Sequence, residues 1–148
     1  MNLTRKTPML MTWEEDFSQH NELIDEQHRA IITSINAIHF LTLKGDETHI
    51  IKHVMMLYSQ LELHFKTEML ILRQNQSPLL AGYEDQANQI LTSLLNRLDA
   101  PSDDHQTQLL FSTFKDWWQR HLELHDSITP FLKDWERDFC RVADADSI

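Results

Sequence analysis

The chain has 148 residues, 41% of them hydrophobic and 24% charged, which is the composition of one globular domain rather than of a disordered segment. Its 13 Lys and Arg stand against 23 Asp and Glu, and the formal charge of −10 argues against nucleic acid or an anionic membrane as a partner. Two glycines and four prolines are too few turn residues for an all-β or α/β domain of this length, so we expect an all-α fold.

Targeting and enzyme signals are missing from the sequence. The single cysteine, Cys140, cannot form an internal disulfide, and no apolar run is long enough for a secretion signal or a membrane span. We therefore expect a cytoplasmic protein. Neither a Glu-x-x-His motif nor an HExxH or P-loop motif occurs, so we expect a binding protein and not an enzyme.

The elements follow in chain order. Residues 1–12 carry no periodic pattern and are predicted to form an N-terminal arm. Residues 13–128 contain four segments whose apolar positions alternate by three and four, which predicts an antiparallel, up-down four-helix bundle. Residues 129–148 are predicted to form a C-terminal helical extension. Its apolar residues Phe131, Trp135 and Phe139 could either form a contact surface for a protein partner or pack across the end of the bundle.

The helix ends and the core positions can also be predicted. Asp46 and Asp103 are good N-caps, and Gly45 is a good C-terminal stop. The core positions of the first two helices are Ile24, His28, Ile31, Ile35 and Ile38, and then Ile50, Val54, Leu57, Leu61, His64, Glu68 and Ile71. Those of the last two are Tyr83, Ala87, Ile90 and Leu94, and then Leu110, Phe114, Trp117, His121, Leu124 and Ile128.

Four of these core positions are polar, namely His28, His64, Glu68 and His121. A single histidine on an apolar face is usually a hydrogen-bonded core residue, but burying several ionisable groups costs several kcal/mol unless they are paired or bind metal. His64 and Glu68 are four residues apart and project from one face of their helix. Imidazole with carboxylate suits iron, manganese or zinc, and with open positions it suits Fe(II).

These residues resemble a known family. The chain has Trp13, the run Ile24-Asp25-Glu26-Gln27-His28, and Asn36. It then has the run His64-Phe65-Lys66-Thr67-Glu68, and Trp117 and Trp118 followed by His121 and Asp126. From Trp13 to Asp126 this order and spacing resemble the bacteriohemerythrins, which are di-iron, oxygen-binding four-helix bundles.

The resemblance implies a role for each matching residue. His28 and His64 would bind one iron, Glu68 and Asp126 would bridge two irons, and His121 would bind the second. The family completes the second iron with an HxxxH pair, which an ungapped alignment places at Tyr83 and Ala87 of this chain. The resemblance therefore predicts an incomplete di-iron site.

Three outcomes are open for this site. One metal ion could be held by His28, His64 and Glu68, with Asp126 and His121 available. Tyr83 and His125 could act as substitute ligands in an altered two-metal site. The fold could also persist as a metal-free scaffold that acts through protein contacts, with Tyr83 and Ala87 filling the space of the missing pair. Whichever outcome holds, Tyr83 could be a buried, hydrogen-bonded tyrosine that donates to Glu68, and His125 could be a solvated residue.

The local geometry of the fourth helix bears on Asp126. On a regular helix His125 lies about 40° around the axis from His121, whereas Asp126 lies about 140° away. Pro130 would remove the hydrogen bond to the carbonyl of Asp126, and we therefore expect a kink or break there.

The predicted function follows from the incomplete site. A lone iron supplies one electron, so we expect binding or sensing of oxygen, nitric oxide or redox state in preference to oxygen carriage, with one iron favoured over two.

Overall fold

The computed structural model describes the backbone of residues 9–146 and the side chains of residues 9–131. Four helices span nearly all of it: α1 (Glu22–Lys44), α2 (Glu47–Gln74), α3 (Leu80–Asp99) and α4 (Asp104–Asp146), preceded by a 3₁₀ turn at Glu15–Phe17. No strand occurs within residues 9–146, and the predicted all-α four-helix bundle is confirmed. Residues 1–8 of the predicted arm and the side chains of Trp135, Phe139 and Cys140 lie outside the described part of the chain.

The helix ends follow local hydrogen-bonding chemistry. The side chains of Asn21, Asp46 and Asp103 accept hydrogen bonds from backbone N–H groups three residues further on, in the first turns of α1, α2 and α4. Gly45 ends α1 with φ of 67°, a left-handed conformation that glycine adopts without steric cost. The three end signals predicted from the sequence are therefore present.

The core is formed by the predicted positions of the four helices. Apart from one residue, every predicted core side chain is buried. The exception is Leu124 of α4, which is half-buried, while the next residue, His125, is fully buried. Neighbouring helices α1 and α2, α2 and α3, and α3 and α4 pack against each other. Ring contacts from His28 of α1 to Trp118 of α4 close the bundle.

The fourth helix continues through Pro130, so of the two features expected there, a kink or a break, the break is absent. Pro130 is exposed, and the carbonyl of Asp126 that loses its helical partner lies on a residue that is itself exposed. Water can therefore satisfy that carbonyl, which removes the main reason for the helix to end. The segment predicted as a C-terminal helical extension is helical as far as Asp146 and continues α4.

The segment before α1 is fastened to the bundle by motif residues. The side chain of Asn36 accepts hydrogen bonds from the backbone N–H groups of Leu10 and Met11 and donates one to the carbonyl of Met11. The buried carboxylate of Asp25 accepts from the Ser18 hydroxyl and from the N–H of Gln19. These contacts give Asn36 and Asp25 a structural role.

Among the described residues, no helix is both long enough and apolar enough to cross a bilayer.

Candidate metal centre

Five ionisable side chains converge in the core of the bundle. They are His28 of α1, His64 and Glu68 of α2, and His121 and His125 of α4. Each can offer one ligand atom, and all five atoms lie within 4.8 Å of one another. All five side chains are buried, with at most 1% exposure. The cluster could therefore hold a metal ion out of contact with bulk water.

The histidines present the same ring nitrogen to a common point. The Nε2 atom of His28 lies 3.1 Å from that of His64 and 3.2 Å from that of His121. The Nε2 atoms of His64 and His121 are 3.0 Å apart. His125 joins this group with its Nε2 atom 3.1 Å from that of His121.

This spacing matches that of ligands on one ion. Two nitrogen atoms bound at about 2.1 Å to the same metal lie roughly 3.0–3.4 Å apart when the angle between them is about 90–110°. Each ring nitrogen has a single hydrogen or lone pair, so three nitrogens in mutual contact cannot all be satisfied by hydrogen bonds to one another. A cation at the common point would accept all the lone pairs, and the residues present therefore fit a metal.

Glu68 lies between the histidines from two helices. One carboxylate oxygen, Oε1, lies 2.6 Å from Nε2 of His64 and 3.3 Å from Nε2 of His121. The other, Oε2, lies 2.6 Å from Nε2 of His125. The carboxylate can therefore supply the negative charge that four imidazoles lack.

Burial sets the protonation states of the cluster. Desolvation lowers the pKa of His28 well below its usual value, and it lowers the pKa of His121 to about 3 even though Glu68 acts in the opposite direction. These two imidazoles are therefore neutral near pH 7, the form that binds a metal. Burial alone would raise the pKa of Glu68, but His64, His125 and His121 outweigh it and leave that pKa well below the usual range.

Tyr83 of α3 completes the surroundings of Glu68. Its hydroxyl donates a 2.7 Å hydrogen bond to Oε1, and the side chain is 1% exposed. Burial, followed by the nearby charge of Glu68, raises the pKa of Tyr83 well above its usual value. The phenol therefore keeps its proton and acts as a donor to the carboxylate. Ala87, one turn further along α3, is also buried.

An outer layer orients the cluster and separates it from water. The Nδ1 atom of His64 donates to Oε1 of Gln27 over 2.8 Å, which leaves Nε2 of His64 with a free lone pair. The Trp117 ring stacks on His121 at 4.8 Å, and Trp118 meets the His28 ring edge-on at 5.1 Å. Among the described residues, the Nδ1 atoms of His28 and His125 have no hydrogen-bond partner.

The structure brings together most, but not all, of the predicted site residues. His28, His64, Glu68 and His121 form the cluster with His125, for which the sequence allows either a substitute ligand or a solvated residue. Asp126 lies outside it on the exposed side of α4, because the helix continues without a break and carries this side chain away from His121. The contact between Gln27 and His64 was not predicted, and the only sequence signal for it was the position of Gln27 directly before His28.

Comparison with known proteins supports the fold. Two solved structures, a leucine-to-tyrosine mutant of hemerythrin and a leucine-to-phenylalanine mutant, are each 20% identical to this chain with a TM-score of 0.71. Each alignment covers 84% of this chain and 98% of the other. No protein-family profile and no characterised protein matches the sequence. The chain therefore has a hemerythrin-like fold.

Proposed function

We propose that this protein binds one non-haem metal ion, iron(II) in the cell, and uses it to bind or sense a small diatomic molecule or the redox state. The observation that carries the proposal is the convergence of five buried donors, four imidazole nitrogens and a carboxylate, within 4.8 Å. The residues that would hold the ion are His28, His64, Glu68, His121 and His125.

The donor set favours a transition metal such as iron over magnesium and calcium. Magnesium and calcium prefer oxygen ligands, whereas imidazole with one carboxylate suits iron, manganese and zinc. Ferrous iron at such a site supplies one electron and an affinity for diatomic ligands. If Glu68 binds through one oxygen, five protein atoms occupy five of six places and leave one for a small molecule; if it binds through both, none is left.

A single ion agrees better with the contacts of Glu68 than two ions do. Its Oε1 atom is already engaged by the Tyr83 hydroxyl, and its Oε2 atom lies against His125. The second carboxylate that the sequence resemblance assigned to a bridge, Asp126, is exposed. In this proposal Tyr83 and Ala87 add no metal ligand, because the Tyr83 hydroxyl keeps its proton and donates a hydrogen bond to Glu68, and alanine has no ligand atom.

The likeness to hemerythrin supports the class of ligand. The fold resembles a solved hemerythrin structure, and the sequence pattern from Trp13 to Asp126 resembles the oxygen-binding bacteriohemerythrins. Because one iron supplies one electron, the proposal assigns this chain to ligand binding or sensing and not to two-electron oxygen carriage.

Metal content per chain tests the proposal. Untagged protein from iron-replete cells should contain about one iron by elemental analysis, and His64→Ala should lose it. His105→Ala is the matched control, because His105 is exposed and remote from the cluster in the sequence and should leave the iron content unchanged. Two irons per chain would overturn the single-ion proposal. A folded protein that contains no metal and takes up none on reconstitution would favour the metal-free scaffold.

Nitric oxide tests the ligand-binding part separately. Iron-loaded wild-type protein should give a new electron paramagnetic resonance signal when nitric oxide is added, and His64→Ala treated with iron in the same way should not. An iron-loaded protein whose spectrum is insensitive to nitric oxide would show that the protein atoms fill every position. The metal site would then remain, but its role would be structural or electron transfer.

A further inference from the structure

An apolar groove runs along the outer side of α1 and α2. The two helices are antiparallel, and the contacts between Gln27 and His64 and between Ser34 and Gln60 fix their register. In this register Ala30 of α1 lies beside Leu63 of α2. Two helical turns, or seven residues, further along in either direction, Leu23 lies beside Leu70 and Ala37 beside Met56.

The larger apolar side chains along this groove are exposed to solvent. Leu63 is 60% exposed, Leu70 49%, Met56 44% and Leu23 42%. Two adjoining cavities of about 370 and 210 Å³ lie along the groove and are lined by Ala30, Met56 and Leu63 together with polar side chains such as Glu26 and Gln60. Leu23 and Leu70 lie beyond these cavities, at the same end of the groove. The groove extends over two steps of seven residues, or about 21 Å of helix. It is therefore a continuous surface, unlike the isolated exposed leucines that are common on monomers.

The charges beside the groove are distributed asymmetrically. Glu22 and Glu26 are exposed on the α1 side, and Lys66 is exposed on the α2 side. By the register of the two helices, Glu26 and Lys66 lie at nearly the same level along the bundle. Within the described residues Glu26 pairs with Arg29, and Lys66 has no ion pair.

We propose that this groove is the interface of a symmetric homodimer. A two-fold axis parallel to the helices would place α1 of one chain on α2 of its partner at the same level. Each Glu26 would then oppose a Lys66 of the other chain, twice in the dimer, and the protruding Leu63 would lie against the small Ala30. An arrangement that stacks each helix on its own copy gives Glu26 no cation from the other chain and leaves it only Arg29 of its own chain. This inference is independent of the proposed metal binding.

Sedimentation equilibrium of the full-length chain tests the dimer. The wild type should dimerise, and Leu63→Glu should raise the dissociation constant by at least about a hundred-fold, since each dimer loses two buried leucines and gains two buried charges. Met55→Glu is the matched control: Met55 lies on the same helix and is 57% exposed, but it does not line the groove, so its variant should dimerise like the wild type. Circular dichroism should show that all three proteins are equally helical.

A charge exchange tests the arrangement of the helices. Glu26→Lys should weaken the dimer about tenfold through repulsion from Lys66, and the double variant Glu26→Lys/Lys66→Glu should restore it. A wild type that is monomeric at every concentration, or a dimer that Leu63→Glu leaves intact, would overturn the proposal. A double variant as weak as Glu26→Lys alone would exclude the α1-on-α2 arrangement.

Discussion

The hydrogen bond from Tyr83 to Glu68 should contribute measurably to stability. Replacing Tyr83 by Phe keeps the ring, which packs against Phe65 and His121, and removes only the hydroxyl. The acceptor is a fully buried carboxylate whose pKa lies well below its usual value, so Glu68 is ionised in the folded protein near neutral pH. The variant therefore removes a charge-assisted hydrogen bond without leaving a large cavity.

The expected cost follows from the charge of the acceptor. A hydrogen bond to a charged group contributes about 1.5–3 kcal/mol, and a buried carboxylate that loses its donor is left partly unsatisfied. For a domain of this size, about 2 kcal/mol lowers the melting temperature by roughly 4–8 °C. The melting temperatures should be measured on metal-free protein, because a bound cation would itself stabilise the Glu68 carboxylate and reduce the difference between the variant and the wild type.

Tyr58 provides the control for this experiment. It is the other tyrosine of the chain, it is half-buried against the core, and its hydroxyl has no partner among the described residues. Tyr58→Phe should change the free energy of unfolding, measured by urea titration, by less than about 0.5 kcal/mol. If Tyr83→Phe is as stable as the wild type, or if Tyr58→Phe costs equally much, the hydrogen bond does not have the role assigned to it here.

Two further predictions concern α4 and the far end of the bundle. His125→Ala should abolish iron binding and Asp126→Ala should retain it, because only His125 lies in the cluster. Elemental analysis of the two variants measures this, and the reverse result would mean that α4 bends when metal binds. Arg97→Met should destabilise the fold by about 2–3 kcal/mol, because buried Arg97 donates to Glu47 at 2.6 Å and its loss leaves that carboxylate without its strongest partner. The hydrogen bond from Arg97 lowers the pKa of Glu47, so the stabilisation by this pair is present above the usual glutamate pKa and is lost as the pH falls through the lowered pKa. In urea titrations at several pH values, the free energy of unfolding should therefore fall less below pH 5 for Arg97→Met than for the wild type.

Much of the fold could be predicted because the helices follow a regular pattern. Apolar residues spaced by three and four identify the buried face of a helix, including any polar residues on that face. The pattern therefore predicted that His28, His64, Glu68 and His121 are buried, as they are in the structure. The caps at Asp46 and Asp103 could be predicted because a carboxylate before a helix satisfies backbone N–H groups in the first turn. These features depend on local sequence alone.

The arrangement on α4 could not be settled in the same way. Leu124 and His125 are adjacent, and spacings of three and four residues from His121 allow either one to face the core. An apolar side chain is the usual choice, but here the histidine is buried and the leucine only half-buried. What favours His125 is a partner that the sequence does not reveal, namely the Oε2 atom of Glu68 on another helix, 2.6 Å away.

His125, and not Asp126 as the resemblance predicts, is the α4 residue that joins His121 in the cluster, and this affects the chemistry of the site. A carboxylate offers two oxygens and can join two metal ions, whereas an imidazole offers one nitrogen toward a given point and adds to the ligands of a single ion. With Asp126 exposed, Glu68 is the only carboxylate among the described residues of the cluster, and Tyr83 already donates to one of its oxygens. A second ion would therefore have to displace the Tyr83 hydrogen bond, and within the described residues the cluster offers no further histidine or carboxylate for it. Because α4 continues past Pro130 and leaves Asp126 exposed, the side chains that converge in the cluster support the proposal of one ion in preference to two.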